Sequence, residues 1–365
     1  MFLGLKSRVA DWWERNERRL SSFALFTGFI VDNLTLTRIT LNSVSVALFS
    51  YLLVAGFCII VLNFLENTPE RQGFKAKIHA FTLIILQFTF GALFSGFLVF
   101  YSRGASIGAS WPFLLILFFI LIGNEFLRTR YIRIGFQMII FFIALFSYSI
   151  FFMPIMTKKV GAGVFLLSGA ASLLLIYLFL RLIGLVSPER FSKSKPFVLG
   201  GMIAVFGLMN FLYFKNLIPP LPLTLKEAAV FHDLKKLPSG EYLVTAEAKK
   251  WHEKFRLREI VRVSAPCEPL YFWSAVFAPT DLEIDVTHVW LKFSEAKGQW
   301  LETFRTTFPI KGGRVGGFRG FSLKERVTPG LWRVDVKTPR GQVIGRMSFR
   351  ALEKEAQVDF VEEIK

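Results

Sequence analysis

An aspartate inside an apolar run is the first residue of this chain whose type suggests chemistry. Asp32, followed by Asn33, sits in LSSFALFTGFIVDNLTLTRI. A carboxylate in hydrocarbon is costly. It is therefore either a buried functional acid or, with Asn33 and Thr35, the cap of a helix that restarts within the segment. Further along, His288 and Trp290 are two residues apart and share one face of a strand. They read either as core residues whose ring N–H groups are satisfied or as a binding platform. Arg314, Arg319, Lys324, Arg326 and Arg333 gather around the glycine-rich GGRVGGFRGFS, 312–322. Guanidinium forks beside bare backbone N–H groups suit an anion such as a lipid phosphate or a glycan carboxylate. The competing reading pairs these arginines with Asp335 and Glu325, or rests them on anionic headgroups.

Other constellations fail on inspection. Ser322, His288 and Asp335 have the residue types of a hydrolytic triad, but no strained nucleophile elbow surrounds Ser322. His232, His252, His288 and Cys267 lack the close spacing of a zinc site. GGRVGG opens no helix after a strand, so it is not a phosphate loop, and it reads as a bulged or looped strand connection. No cofactor is expected, and a non-enzymatic role is the leading expectation.

The elements that must position these residues fall into two halves. The chain has 365 residues, 53% of them hydrophobic, with 42 Phe against 8 Tyr. That apolar surplus points to lipid as the solvent of one half. Apolar runs of span length occupy roughly 20–39, 41–65, 78–101, 110–127, 132–153, 160–184 and 197–216, which predicts about seven transmembrane helices. Residues 1–19 are amphipathic, lack the apolar core of a signal peptide, and predict either a helix on the cytoplasmic membrane surface or, equally, a cytosolic extension of the first span. Glu125, near the end of the fourth run, is expected to pair with Arg128 and Arg130. Gln87, Gln137, Asn42, Asn124 and Asn210 are expected to hydrogen-bond between helices.

The first run is marginal by hydropathy, and charge counting decides it. With seven spans, fifteen Lys and Arg lie on one side and four on the other; without the first span the counts become ten and nine. Cytoplasmic loops are rich in Lys and Arg, so the uneven arrangement is preferred. It predicts a bacterial inner-membrane protein with a cytoplasmic N-terminus and an extracytoplasmic C-terminal domain. The net charge of +17 is then a matter of membrane topology, and no nucleic-acid partner is expected.

The second half begins with a Pro-rich linker, 217–226, stiffened by Pro219, Pro220 and Pro222. Thr224-x-x-Glu227 has capping-box spacing and predicts a short helix start. Periodicity near two then follows in VFHDLKK, EYLVTAE, RLREIVRV, LYFWSAVFA, LEIDVTHVWLKF, WLETFRTTFPI, LWRVDVK and VIGRMSFRAL. Seven or eight strands without βαβ spacing predict an antiparallel sandwich over 227–352. An acidic tail, 353–365, is expected to fray.

AVFAPT (275–280), His288-x-Trp290, GGRVGGFRGFS, GLWRVDVKTPRGQVIGRMSF (330–349), the linker NLIPPLPL and the early GFIVDNLTLTRI resemble a family of bacterial multi-pass membrane proteins. The C-terminal domain of that family is known only as domain of unknown function 2914. The resemblance extends over nearly the whole chain, and the GGR…GxWRVDV block is its specific part. It implies an integral membrane protein with no assigned activity and transfers no catalytic residue. Phe318 and Phe321 stand where tyrosines are expected, which puts a phenol role there in doubt.

The combined expectation is an all-α bundle followed by an all-β antiparallel sandwich that binds or scaffolds in the bacterial envelope. Its expected partners are the bilayer and an anionic lipid or glycan; no protein partner can be read from the sequence. The alternative is a membrane-embedded enzyme or lipid- or glycan-handling protein that combines Asp32 with the arginines of the outer domain.

Overall fold

The computed structural model describes residues 41–67, 74–103, 107–126, 131–248, 259–264, 266–314, 316–354 and 358–365. The surface helix 1–19 and the first predicted span, with Asp32 and Asn33, lie outside these residues, as does the side chain of Glu125. The chain divides into a helical unit and a β unit. The β unit holds Ile218–Lys365 and takes in Gly104–Ser110 and Pro154–Gly161.

The helical unit contains α1 (Leu41–Glu66), α2 (Phe74–Arg103), α3 (Ile107–Phe126), α4 (Ile134–Thr157), α5 (Ala162–Val186) and α6 (Pro188–Phe214). Six helices are thus present among the described residues where the sequence predicts seven, and the segment predicted as the first, 20–39, lies outside those residues. Five are long and apolar enough to cross a membrane. The sixth, α3, offers a shorter apolar stretch, Ala109–Asn124. These helices are apolar all round, as lipid-facing helices are. Phe90, Phe94, Phe97, Phe142 and Phe146 fill the interior, while Phe57, Phe88, Phe119 and Phe211 face outward.

The last helix starts at Pro188, earlier than the predicted 197. Proline in the first helical turn loses no hydrogen bond, so Arg190, Lys193 and Lys195 ride on α6 rather than in a loop.

Amide side chains inside the helical unit are paired with one another or with backbone. Asn63 of α1 donates to Gln137 Oε1 of α4 at 2.7 Å. Gln137 in turn donates to the Tyr131 carbonyl at 2.5 Å, and the Tyr131 hydroxyl donates to Asn124. Asn124 donates to the Gln87 carbonyl of α2 at 3.1 Å. Gly91 is what lets Asn124 approach, since a Cβ there would lie 3.1 Å from its amide nitrogen. Glu66 pairs with His79 at 2.7 Å and with Arg190 at 3.7 Å.

The β unit has eleven strands: β1 (Thr224–Phe231), β2 (Asp233–Lys236), β3 (Tyr242–Glu247), β4 (Glu259–Val263), β5 (Glu268–Phe277), β6 (Glu283–Ser294), β7 (Gln299–Lys311), β8 (Phe318–Val327), β9 (Gly330–Lys337), β10 (Val343–Glu353) and β11 (Phe360–Ile364). They form three sheets, in the orders β1-β5-β8, β4-β10-β9-β6-β7 and β11-β3-β2. The first two face each other across one core built from Val230, Phe272, Val286, Trp290, Trp332, Val334 and Phe349. The third covers the opposite face of β1-β5-β8, where Phe231, Trp273 and Ala275 meet Leu234, Tyr242 and Val244. The sandwich therefore carries a third layer.

Several expectations need correction. Thr224 opens β1 opposite Phe277 rather than a helix, because its neighbours have a strand partner in β5 and a core to enter, and tertiary context overrides a local cap signal. The domain consequently begins inside the predicted linker. The pairing is not wholly antiparallel, since β4 runs parallel to β10. Strand β8 escaped the periodicity reading because Gly320 and Ser322 take core-facing positions among charged neighbours. The acidic tail does not fray throughout: β11 pairs with β3, and Tyr242 and Lys365 exchange backbone hydrogen bonds of 2.9 and 2.8 Å. The predicted turn at Thr338–Gly341 is present, closed by Gly341 N–H donating to the Thr338 carbonyl at 2.8 Å.

Phe272 and Trp273 are adjacent, fully buried, and point to opposite faces of β5. Replacing either by alanine is expected to destabilise the β unit by about 3–5 kcal/mol. Thermal unfolding of the full chain followed by circular dichroism checks this. A Trp273→Ala variant that melts like the parent would mean that the third sheet is not packed there.

Candidate functional site

The sequence-predicted residues separate into three places. His288 and Trp290 project from β6 into the core and are fully buried. Imidazole Nε2 lies 2.8 Å from Ser274 Oγ of β5 and Nδ1 lies 3.0 Å from Ser322 Oγ of β8. The Trp290 indole N–H donates to the same Ser322 oxygen at 3.0 Å. One consistent assignment has Ser322 donating to Nδ1 and Nε2–H donating to Ser274, so a neutral ring satisfies every partner. Burial drives the imidazole down to about 3, and it stays neutral at ordinary pH. This network ties two facing sheets together and leaves neither ring open to a ligand.

Asp335 lies on the other face of the five-stranded sheet. His288 pairs with Val336 and Val289 with Asp335 in the β6–β9 ladder, so adjacent positions send the imidazole and the carboxylate in opposite directions. The hydrolytic-triad arrangement is thus excluded. Asp335 is 1% exposed. It accepts both Arg346 nitrogens, at 2.6 and 3.1 Å, with Arg333 Nε at 3.1 Å and Lys337 Nζ at 3.6 Å. Arg333 also lies over the Trp300 ring at 4.6 Å. Arg333 is therefore engaged by an acid and an aromatic ring.

Arg314 and Arg319 are the predicted pair that the fold leaves accessible. With Gly316 and Gly317 they form one wall of an open cleft of about 370 Å³, and Ser239, Gly240 and Glu241 of the β2–β3 turn form the other. Arg319 opposes Ala275 in the β5–β8 ladder, on the face that the third sheet covers. Arg314 stacks over Phe318 at 5.4 Å. Neither guanidinium has a carboxylate within ion-pair distance among the described residues. Gly317 holds φ at +89°, and a Cβ there would lie 3.0 Å from the Val276 backbone; only glycine brings this wall so close to β5.

A further cluster was not legible in the sequence. His232 sits where the chain leaves β1 and enters β2. Its Nδ1 lies 2.7 Å from Glu268 of β5 and its Nε2 lies 3.3 Å from Glu247 of β3. Carboxylate oxygens only accept, so the ring must carry both protons to satisfy both acids. Glu247 also receives the Arg262 backbone N–H and its guanidinium at 2.6 Å. Glu268 receives Ser264 N–H at 2.8 Å. Burial alone would lower His232, but the bonds and charges of the two glutamates outweigh it and raise it. Burial likewise pushes both acids up, but the bonds to His232 and Arg262 lower Glu247, and those to Ser264 and His232 lower Glu268. Glu247, Arg262 and Glu268 come from three strands, β3, β4 and β5, one in each sheet, His232 joins them from the β1–β2 connection, and the formal charges of the four cancel. Partners separated by up to 36 residues leave no local signal.

No group of three metal-ligating side chains occurs among the described residues. His252, one of the four groups weighed for zinc, lies outside them.

Comparison with known proteins bears on the C-terminal part. Residues 283–351 match the family model described as protein of unknown function, DUF2914. The DUF2914 segment runs from β6 into β10. It includes His288, Trp290, Arg314, Arg319, Arg333 and Asp335, but no helix and nothing of the β2–β3 wall. The match is narrower than the resemblance read along nearly the whole chain. No curated protein matches. One solved structure, the Pseudomonas fluorescens alkylpurine DNA glycosylase AlkC bound to DNA containing an abasic site analog, is 10% identical over 83% of this chain and 96% of that one. Its TM-score of 0.22 carries no argument about fold or function.

The His232 cluster sets a pH dependence. A raised imidazole contributes stability that is complete below its unfolded value, 6.5, and is lost as pH rises through the folded value. The lowered glutamates contribute above 4.5 and fail as pH falls. Thermal midpoints of the β unit are expected to peak between these values and decline on the alkaline side. His232→Gln is expected to flatten the alkaline decline, and a melting series from about pH 5 to 9 checks this.

Proposed function

We propose that this protein is a membrane-anchored binding protein of the bacterial envelope. Its helices hold the DUF2914-bearing β unit outside the cytoplasm, and the Arg314–Arg319 cleft takes an anionic group of a lipid or glycan. The observation that carries the reading is the pair of guanidiniums lining one cleft without a carboxylate partner among the described residues. Elsewhere in the β unit the fold neutralises its buried charges, as at Asp335 and His232. Bare glycine backbone between the arginines allows close approach, and the arginine fork matches phosphate and carboxylate geometry. The five long apolar helices support anchoring. The sidedness rests on the distribution of Lys and Arg among the loops.

Two measurements test this. In maltoside micelles, the full chain is expected to bind inorganic phosphate or a hexuronate, and the double variant Arg314→Gln/Arg319→Gln to lose at least about tenfold in affinity, since each charge-assisted bond contributes about 1.5–3 kcal/mol. Arg350→Gln, exposed on the opposite side of the sandwich, is expected to change nothing. A reporter fused after Lys365 is expected to be active outside the cytoplasm. A cytoplasmic signal would refute the sidedness.

A further inference from the structure

The cleft holds charges of both signs. Glu241 lines it opposite the two arginines, and its carboxylate is engaged by the Ser239 hydroxyl at 3.2 Å. Glu241 makes no ion pair with Arg314, Arg319 or any other cation among the described residues. Charges of opposite sign that line one open space without reaching each other are normally drawn together across it. Here they stand on different layers of the fold, Glu241 on the β2–β3 turn of the third sheet and the arginines at the β8 edge of the middle sheet.

We infer that the cleft takes a zwitterion: a phosphate ester carrying a primary ammonium a few bonds away, the chemistry of a phosphoethanolamine group. This rests on the anion-binding reading above and adds the second charge. The phosphate would meet the Arg314 and Arg319 forks, and the ammonium, with three donors, would meet Glu241. A simple anion would set its charge against the glutamate, whereas a zwitterion turns that repulsion into attraction. The size agrees, because a cleft of about 370 Å³ is at the small end of ligand sites, ~300–1,000 Å³, and suits a polar head rather than a long chain. An added Cβ at Gly316 meets nothing within 4 Å, so the space beside the arginines is open.

The test uses the full chain in maltoside micelles, titrated with glycerophosphoethanolamine, glycerophosphoglycerol and inorganic phosphate. The expected result is that the ethanolamine ester binds about tenfold more tightly than the glycerol ester, the effect of one added charge pair near a protein surface. Glu241→Gln is expected to bring the ratio near one without abolishing phosphate binding, and Gly316→Leu to weaken both esters by filling the cleft. Native mass spectrometry in micelles doped with phosphatidylethanolamine or phosphatidylglycerol separates the sources. Selective retention of the former supports a membrane lipid, and binding of the soluble ester without lipid retention supports a free phosphoethanolamine compound. Equal affinity for the two esters, or a preference that survives Glu241→Gln, overturns the inference while leaving the anion site standing. Absence of binding by all three probes overturns the inference, and absence of hexuronate binding as well overturns the anion site.

Discussion

The β unit depends on one constraint: its middle sheet is covered on both faces. Strand β5 has to supply apolar groups in both directions, and Leu270, Phe272 and Val276 enter one core while Trp273 and Ala275 enter the other. A strand buried on two sides cannot slip by one residue without exchanging its two surfaces, so its register is strongly specified. The polar groups within these layers obey the same constraint. Ser274 and Ser322 point into the inner core from the middle sheet, where they meet His288 and Trp290 from the facing sheet. A buried hydroxyl or imidazole without a partner is expensive, so this network rewards one alignment of the two sheets over others.

The third layer is held by a different kind of contact. Beside its apolar contacts with Phe231, Trp273 and Ala275, it is tied down at His232, the residue at which the chain passes from the middle sheet to the third. A cation between two acids, one of them held by Arg262, gives a neutral, largely buried cluster that joins strands of all three sheets. Removing one partner from such a cluster leaves an uncompensated buried charge, which costs more than the intact arrangement contributes. The cleft inherits this dependence. One of its walls belongs to the DUF2914 segment and the other to the β2–β3 turn outside it, so the matched segment does not contain the site by itself.

The helical unit solves the polar-group problem in its own solvent. With hydrocarbon outside, amide side chains have only each other and the backbone to bond with, and the chain from Asn63 through Gln137, Tyr131 and Asn124 to Gln87 satisfies them across helices. The phenylalanine surplus serves both as interior packing and as outward-facing apolar surface. A dispersed polar network of this kind holds helices in place.

Much of this architecture is determined by the sequence alone. Apolar runs of span length delimit α1 to α5 to within a few residues, because length and hydropathy are local properties that the solvent reads directly. Alternation in LEIDVTHVWLKF, LWRVDVK and VIGRMSFRAL fixes strands and their inward faces for a similar reason, and it correctly places Trp332, Val334 and Val336 on one side. Strand β8, the parallel β4–β10 pair and the pairing of the acidic tail were decided only in three dimensions. Each needs a partner strand remote in sequence, and the capping-box signal of Thr224–Glu227 pointed elsewhere, whereas the glycines of 312–317 do form the looped strand connection read from the sequence, with φ of +99° at Gly313 and +89° at Gly317. The site divides along the same line. The clustering of Arg314 and Arg319 with glycines is visible in the chain, whereas Arg333, close in sequence, is sent to the far side of the sandwich. Glu241, Glu247 and Glu268 acquire their meaning from layers that bring together residues up to about eighty positions apart. Periodicity specifies which face a side chain takes; only the stacking of three sheets specifies what it meets there.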